Sequence, residues 1–174
     1  MIKYFKNLIL SFLSYNISFQ GIYYSWNDAK ENTIGYDNEK NINKILNSSL
    51  KVKNGQYEYE RDSVLFKEKY YSKIFLLFID LINKNKLNNV FLDFGGSFGS
   101  TYFQYLDLLK KNNFKWNIIE QKKIVELGKK FFENDDLRFY DSIQKCKRKN
   151  KINIVYSSCA IQYIENPKKI ILEL

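Results

Sequence analysis

The chain has 174 residues, 45% hydrophobic and 17% aromatic, with 28 Lys plus Arg against 19 Asp plus Glu for a net charge of +9. That is one domain's worth of sequence with enough apolar side chain for a core, which excludes wholesale disorder. It holds no histidine, so imidazole bases, Ser-His-Asp and Cys-His nucleophiles and His-containing zinc sites are all excluded, and chemistry must come from a cofactor, carboxylates, Lys, Tyr or backbone.

Met1 to Gln20 opens with Lys3 and Lys6, and Phe5, Leu8, Ile9, Phe12 and Leu13 recur at helical spacing. The spacing predicts an amphipathic helix, which either packs on the domain or rests peripherally on an anionic membrane surface. No apolar stretch approaches the roughly 20 residues of a membrane-spanning helix. Residues 21–62 are rich in Asn, Asp, Glu and Tyr without a sustained period, and read as an irregular or short-helical cap. From Asp62 to Asn83 the residues Val64, Leu65, Tyr71, Ile74, Phe75, Phe78, Ile79 and Ile82 form a broad helical stripe, which predicts one long helix. The expected division is a helix-and-cap segment over 1–61 and a ligand-binding domain over 62–174.

Asn89 to Phe94 is a short apolar run ended by glycines and reads as a buried strand. A helix over 100–112, a strand over 114–120, a helix over 124–132 and strands at 137–140 and 152–156 follow in turn. Strands alternating with helices indicate an open α/β sheet with parallel neighbours. Lys145 to Lys151 carries five cations in seven residues and reads as a solvated connecting loop. The cations overall are Lys, with only Arg61, Arg138 and Arg148 to supply bidentate forks, so no specific nucleic-acid surface is expected. Cys146 and Cys159 stand apart in no metal-ligand spacing, which fits a reducing cytoplasm and no metal site.

The chemistry concentrates in Leu92-Asp93-Phe94-Gly95-Gly96-Ser97-Phe98-Gly99-Ser100, where the first buried strand hands over to a helix. Ligands of open α/β sheets sit at the carboxyl ends of the strands, and glycines there let main chain approach a nucleotide closely. No Gly-Lys-Ser/Thr is present, so the phosphate cradle of that type is excluded. Asp93 at the strand tip would repel a pyrophosphate and suits a cationic, amine-bearing ligand, which favours S-adenosylmethionine over NAD or ATP. Glu120 closes the next strand, where a carboxylate can accept from both ribose hydroxyls. The plain alternatives are a tight turn without ligand for the glycines and a helix-cap acid for Glu120.

Asp93, Gly95 and Gly99 resemble the glycine motif of the class I S-adenosylmethionine-dependent methyltransferases, with Ser97 where the middle glycine is usual and Gly96 before it. A narrower resemblance spans Phe19 to Ala29, Gly35-Tyr36-Asp37, Leu92 to Gln104, Ile119-Glu120-Gln121 and Ser157 to Pro167. In that order these segments look like a family of bacterial methyltransferases encoded among surface-polysaccharide genes. The resemblance implies a Rossmann-like sheet in the strand order 3-2-1-4-5-7-6, of which this chain would carry the first four strands and end truncated after the fourth. It implies that Asp93, Gly95, Gly96, Ser97 and Gly99 surround the methionine part of S-adenosylmethionine, that Glu120 and Gln121 hold the ribose, that Tyr140 lies near adenine, and that Ser157 and Ser158 border the reactive side. Trp26, Tyr36 and Tyr163 are the expected lining of an acceptor pocket for a small molecule or saccharide, each with an ordinary core aromatic as its alternative. A catalytic base stays unassigned among Glu165, Asp28, Asp37 and Tyr163. The competing readings are a non-catalytic α/β binding module, including an inactive remnant of such an enzyme, and a nucleotide-sugar or dinucleotide enzyme using the same crevice.

Overall fold

The computed structural model describes residues 22–33, 35, 38–84, 89–110 and 113–174. The expected N-terminal helix, Tyr36 and Asp37 lie outside them. The chain divides into two compact units, Met1–Gly35 and Tyr36–Leu174, so the boundary expected at 61–62 falls inside the second unit. In the first unit, α1 (Trp26–Glu31) is capped by Ser25, whose hydroxyl accepts from the Asp28 N–H at 3.1 Å. None of its residues is buried.

The second unit begins with α2 (Glu39–Lys53), capped by Asn38 through the Lys40 N–H at 3.0 Å. It is a longer helix than the irregular or short-helical cap expected there. Its buried face is Ile42, Ser48, Ser49 and Val52, half of it serine, which dilutes the apolar period in the sequence. A hairpin follows, β1 (Tyr59–Arg61) and β2 (Val64–Phe66), turned by Asp62 and Ser63 at φ 47° and 70°. Two successive left-handed residues give the turn twist that two-residue hairpins need. Tyr59 and Phe66 face each other in register with rings stacked 4.5 Å apart, and the Ser48 hydroxyl donates to the Ser63 carbonyl at 2.9 Å. The long helix expected from Asp62 is therefore shortened to α3 (Lys73–Lys84), because Val64 and Leu65 belong to β2. Phe75, Ile79 and Ile82 form its buried stripe.

The principal sheet comprises β3 (Asn89–Phe94), β4 (Phe114–Ile119), β5 (Leu137–Tyr140) and β6 (Ile154–Ser157), all parallel and ordered β5-β4-β3-β6. In sequence order that is 3-2-1-4. Four short helices join the strands: α4 (Ser100–Gln104), α5 (Leu106–Leu109), α6 (Lys122–Phe131) and α7 (Ile143–Lys149), and α8 (Pro167–Glu173) follows β6. The single helix expected over 100–112 breaks at Tyr105, whose ring stacks 3.8 Å from Phe75 and whose hydroxyl accepts the Ser72 N–H at 2.9 Å. The basic run expected as a loop is mostly α7, because Ile143 and Cys146 dock on the sheet while Lys145, Lys147, Arg148 and Lys149 face water.

Strand side chains alternate between two covered faces. Phe91, Trp116, Ile118, Leu137 and Phe139 enter the larger core with Ile42, Phe75, Tyr102 and Ile124. Leu92 and Ile119 enter the smaller core with Ile143 and Cys146, joined by Tyr140 and Ile170. Burial on both faces is what gives parallel strands their unbroken apolar sequence. No helix of the described residues is long and apolar enough to cross a membrane.

Packing of α6 on β5 leaves no room at Gly128, where a Cβ would stand 2.6 Å from the buried Phe139 ring. Gly128→Ala gains up to about 1 kcal/mol of helix propensity but overpacks a ring that cannot swing away, at about 1–3 kcal/mol. The expected net result is a loss of up to about 2 kcal/mol in urea unfolding, and a raised midpoint would contradict this packing.

Candidate functional site

The order of the sheet reverses between β3 and β6, and the carboxyl ends of these two strands define the crevice of an open parallel sheet. Gly95, Gly96, Ser97 and Gly99 form the turn between β3 and α4. The Gly95 N–H donates to the Ile119 carbonyl at 3.0 Å, extending the ladder with β4 by one residue, and the Gly99 N–H donates to Gly96 at 3.0 Å. Gly95 and Gly99 have φ of 77° and 95°, and Ser97 also sits left-handed at 53°. That conformation costs a serine about 1–2 kcal/mol, so Ser97 takes a backbone that glycine adopts without cost. Gly95 also abuts the segment after β6, since a Cβ there would lie 2.3 Å from the Ala160 Cβ.

Asp93 lies beneath this turn, 1% exposed. The indole N–H of Trp116 on β4 donates to its Oδ2 at 3.0 Å, and a Cβ on Gly96 would stand 2.3 Å from the same oxygen. The other oxygen, Oδ1, has no donor among the described residues. Burial pushes this carboxyl up to about 7; the Trp116 hydrogen bond pulls it down, the Glu120 charge pushes it up and the Arg61 charge pulls it down. A carboxylate expected to face the crevice is instead buried beneath the turn, with Gly96 main chain against Oδ2.

Glu120 follows β4 and turns back to the same place. Its Oε1 accepts the Ser97 N–H at 3.1 Å and its Oε2 accepts the Gln121 N–H at 2.9 Å. Burial raises its pKa, against these two backbone hydrogen bonds. The structure thus gathers Asp93, the glycine turn and Glu120 into one cluster. Ser157 closes it from β6, its hydroxyl donating to the Phe94 carbonyl at 3.1 Å.

The remaining expected residues are placed differently. Gln121 is exposed and supplies its backbone N–H to Glu120. The Tyr140 hydroxyl accepts from the Asn150 side chain at 3.0 Å, and its ring packs in the smaller core, on the sheet face opposite Trp116, so its phenol is engaged by the end of α7. Ser158 is exposed after β6, and Tyr163, 40% exposed, lies on a 3-10 turn over Ile161–Tyr163. Trp26, 42% exposed, belongs to the first unit, as does Asp28, whose carboxylate takes an Asn32 amide at 3.4 Å. Glu165 is exposed. Among the described residues no grouping of Cys, Asp and Glu could hold a metal ion.

A groove of about 610 Å³ runs beside the tip of β6 and was not legible in the sequence. Ser157 and Ser158 form one end, the β1–β2 hairpin supplies Tyr59, Arg61 and Phe66, and α3 and Tyr105 form the floor. Its walls come from segments far apart in the chain. The one available signal was the rarity of arginine in a lysine-rich sequence.

The buried acids make stability depend on pH. The folded chain holds the Asp93 proton to about pH 7, whereas the unfolded chain releases it near 3.8. The stabilisation is thus complete below pH 4 and lost as pH climbs to 7, amounting to about 4 kcal/mol at most; Glu120 acts in the same direction. Growing positive charge at low pH opposes this through diffuse repulsion, a smaller effect per group. The melting temperature is expected to be higher at pH 5 than at pH 8, with most of the slope removed in Asp93→Asn. An equal slope in the variant would contradict the burial of Asp93. Comparison with family models, with curated proteins and with solved structures gives no match to the chain.

Proposed function

We propose that the chain binds S-adenosylmethionine at the β3–α4 turn and is a methyltransferase of the class I type, acting in the cytoplasm on a small-molecule or saccharide acceptor of cell-surface polysaccharide synthesis. The observation that carries this reading is the meeting of two carboxylates, Asp93 and Glu120, at one glycine turn on the reversal point of a parallel sheet. An anionic dinucleotide would meet two negative groups there; a ligand bearing an ammonium and a sulfonium meets complementary charge. The residues fit such a ligand in that Asp93 keeps Oδ1 without a donor among the described residues while the turn above it presents main chain at Gly95 and Gly96.

When bound, the sulfonium supplies an already activated methyl group, so that the protein's part is position and electrostatics. Asp93 would hold the ammonium end and would be fully ionised against it. Glu120, kept in place by the Ser97 and Gln121 N–H groups, would accept from the ribose hydroxyls. The turn between them excludes water by bringing main chain rather than side chain to the ligand. Ser157 ties the end of β6 to β3, which fixes the width of the crevice.

Titration calorimetry with S-adenosylmethionine, S-adenosylhomocysteine and NAD tests the reading. Binding of the first two and not of NAD is expected, weakened about tenfold or more by Asp93→Asn and abolished by Gly95→Val. Below pH 7 the complex should release up to one proton, seen as a dependence of the binding heat on buffer ionisation enthalpy. Absence of binding by either sulfur compound would leave the non-catalytic module as the reading, and binding of NAD alone would point to dinucleotide chemistry.

A further inference from the structure

Arg61 stands in the groove beside β6 in an unusual electrostatic position. Its Nη1 donates to the Glu60 carbonyl at 2.9 Å and its Nη2 to the side-chain oxygen of Gln104. Both acceptors are neutral. The neighbouring Glu60 carboxylate, 1% exposed, is occupied elsewhere, by the Ser63 N–H at 3.0 Å and the Ser100 hydroxyl. Among the described residues no carboxylate forms an ion pair with Arg61. The other two arginines contrast with it: Arg138 pairs with Glu133 at 2.8 Å, and Arg148 is exposed on α7.

A half-buried guanidinium fixed by two neutral oxygens keeps its full charge and three of its five N–H donors for something else. The surroundings define what that is. Tyr59 lies 5.6 Å from the guanidinium carbon and stacks on Phe66, and Tyr70, 60% exposed, lines the same groove. Flat aromatic surface beside polar groups suits a ring with apolar faces and hydroxylated edges. Ser157 and Ser158, at the carboxyl end of β6, line the same groove as Arg61.

We propose that this groove is the acceptor site and that Arg61 is its anion-recognising residue, so that the acceptor is a sugar bearing a carboxylate or another oxyanion. The proposal rests on the methyltransferase reading and narrows it from saccharides in general to acidic ones. The fork of Arg61 sets the register of the sugar, the Tyr59–Phe66 pair and Tyr70 offer it a face, and Ser157 and Ser158 meet the end nearest the strand tips.

The full 174-residue chain is titrated with D-glucuronate, D-glucose 6-phosphate and D-glucose by saturation-transfer NMR, and in parallel with S-adenosylhomocysteine by calorimetry. At least one acidic sugar is expected to bind while glucose does not. Arg61→Gln should weaken the acidic sugar about tenfold or more, with Arg61→Lys intermediate because it keeps charge and loses the fork. Tyr70→Ala, at an exposed ring, should weaken it as well without lowering the melting temperature, and decides the matter if Arg61→Gln fails to fold. S-adenosylhomocysteine binding should be unchanged in Tyr70→Ala and should change less than acidic-sugar binding in the two Arg61 variants, whose charge also acts on Asp93. Equal response to acidic and neutral sugars, no response to any sugar, or a loss confined to S-adenosylhomocysteine in Arg61→Gln would each overturn the proposal, the last by assigning the guanidinium to the cofactor's own carboxylate. Acidic-sugar binding lost in Arg61→Gln, in a chain that binds no S-adenosylhomocysteine, would uphold the groove and sink the methyltransferase reading instead.

Discussion

The candidate site depends on burying one carboxylate. Asp93 is removed from water at the tip of the central strand, where an ionised side chain would ordinarily cost several kcal/mol. Three neighbours make this tolerable. Trp116 gives its indole N–H to Oδ2, Gly96 lets main chain close over the same oxygen, and Arg61 contributes positive potential. The compensation is incomplete, which is why the group titrates near neutrality and why Oδ1 is left able to accept from a ligand. A fully satisfied carboxylate here would be a structural element only; a fully exposed one would be screened by water and weak as a recognition element.

The same burial ties the sheet to the site. Asp93 shares a face with Phe91, Trp116 and Ile118, so the alternation that packs the larger core also aims the carboxylate under the turn. A slip of one residue in β3 would send Asp93 to the opposite face and Leu92 into its place. The continuation of the ladder from Ile119 to Gly95 then brings Glu120 back over Ser97. Register is accordingly the means by which two acids distant in sequence arrive at one turn.

Much of this was legible in the sequence, and the physical reasons for the failures are specific. Strands buried on both faces read as plain apolar runs, so all four strands and the glycine turn emerge within a residue or two of their observed limits. The helix over Glu39–Lys53 stayed hidden because Ser48 and Ser49 occupy half its buried face, and α7 because Ile143 and Cys146 are its only buried residues amid lysines. Val64 and Leu65 imitate helical spacing with Tyr71 by coincidence; the left-handed pair Asp62-Ser63 turns them back onto β1, and residues 67–72 part them from α3. Asp93 and Glu120 stood out by their positions at strand tips, and the structure sets both at one turn. The Tyr140 ring packs in the smaller core, which nearness in sequence to a strand tip does not foretell, because it does not say which face a side chain takes. The Arg61 groove required contacts between segments that only folding brings together.

The contact between Gly95 and Ala160 carries a consequence for how this sequence can vary. One methyl group already fills the place a side chain at 95 would need. The loop leaving β3 and the loop leaving β6 thus interlock like gear teeth, and a side chain at 95 would wedge the two strand tips apart and loosen the Ser157 tie across them, so position 95 is expected to stay glycine for as long as position 160 carries a side chain.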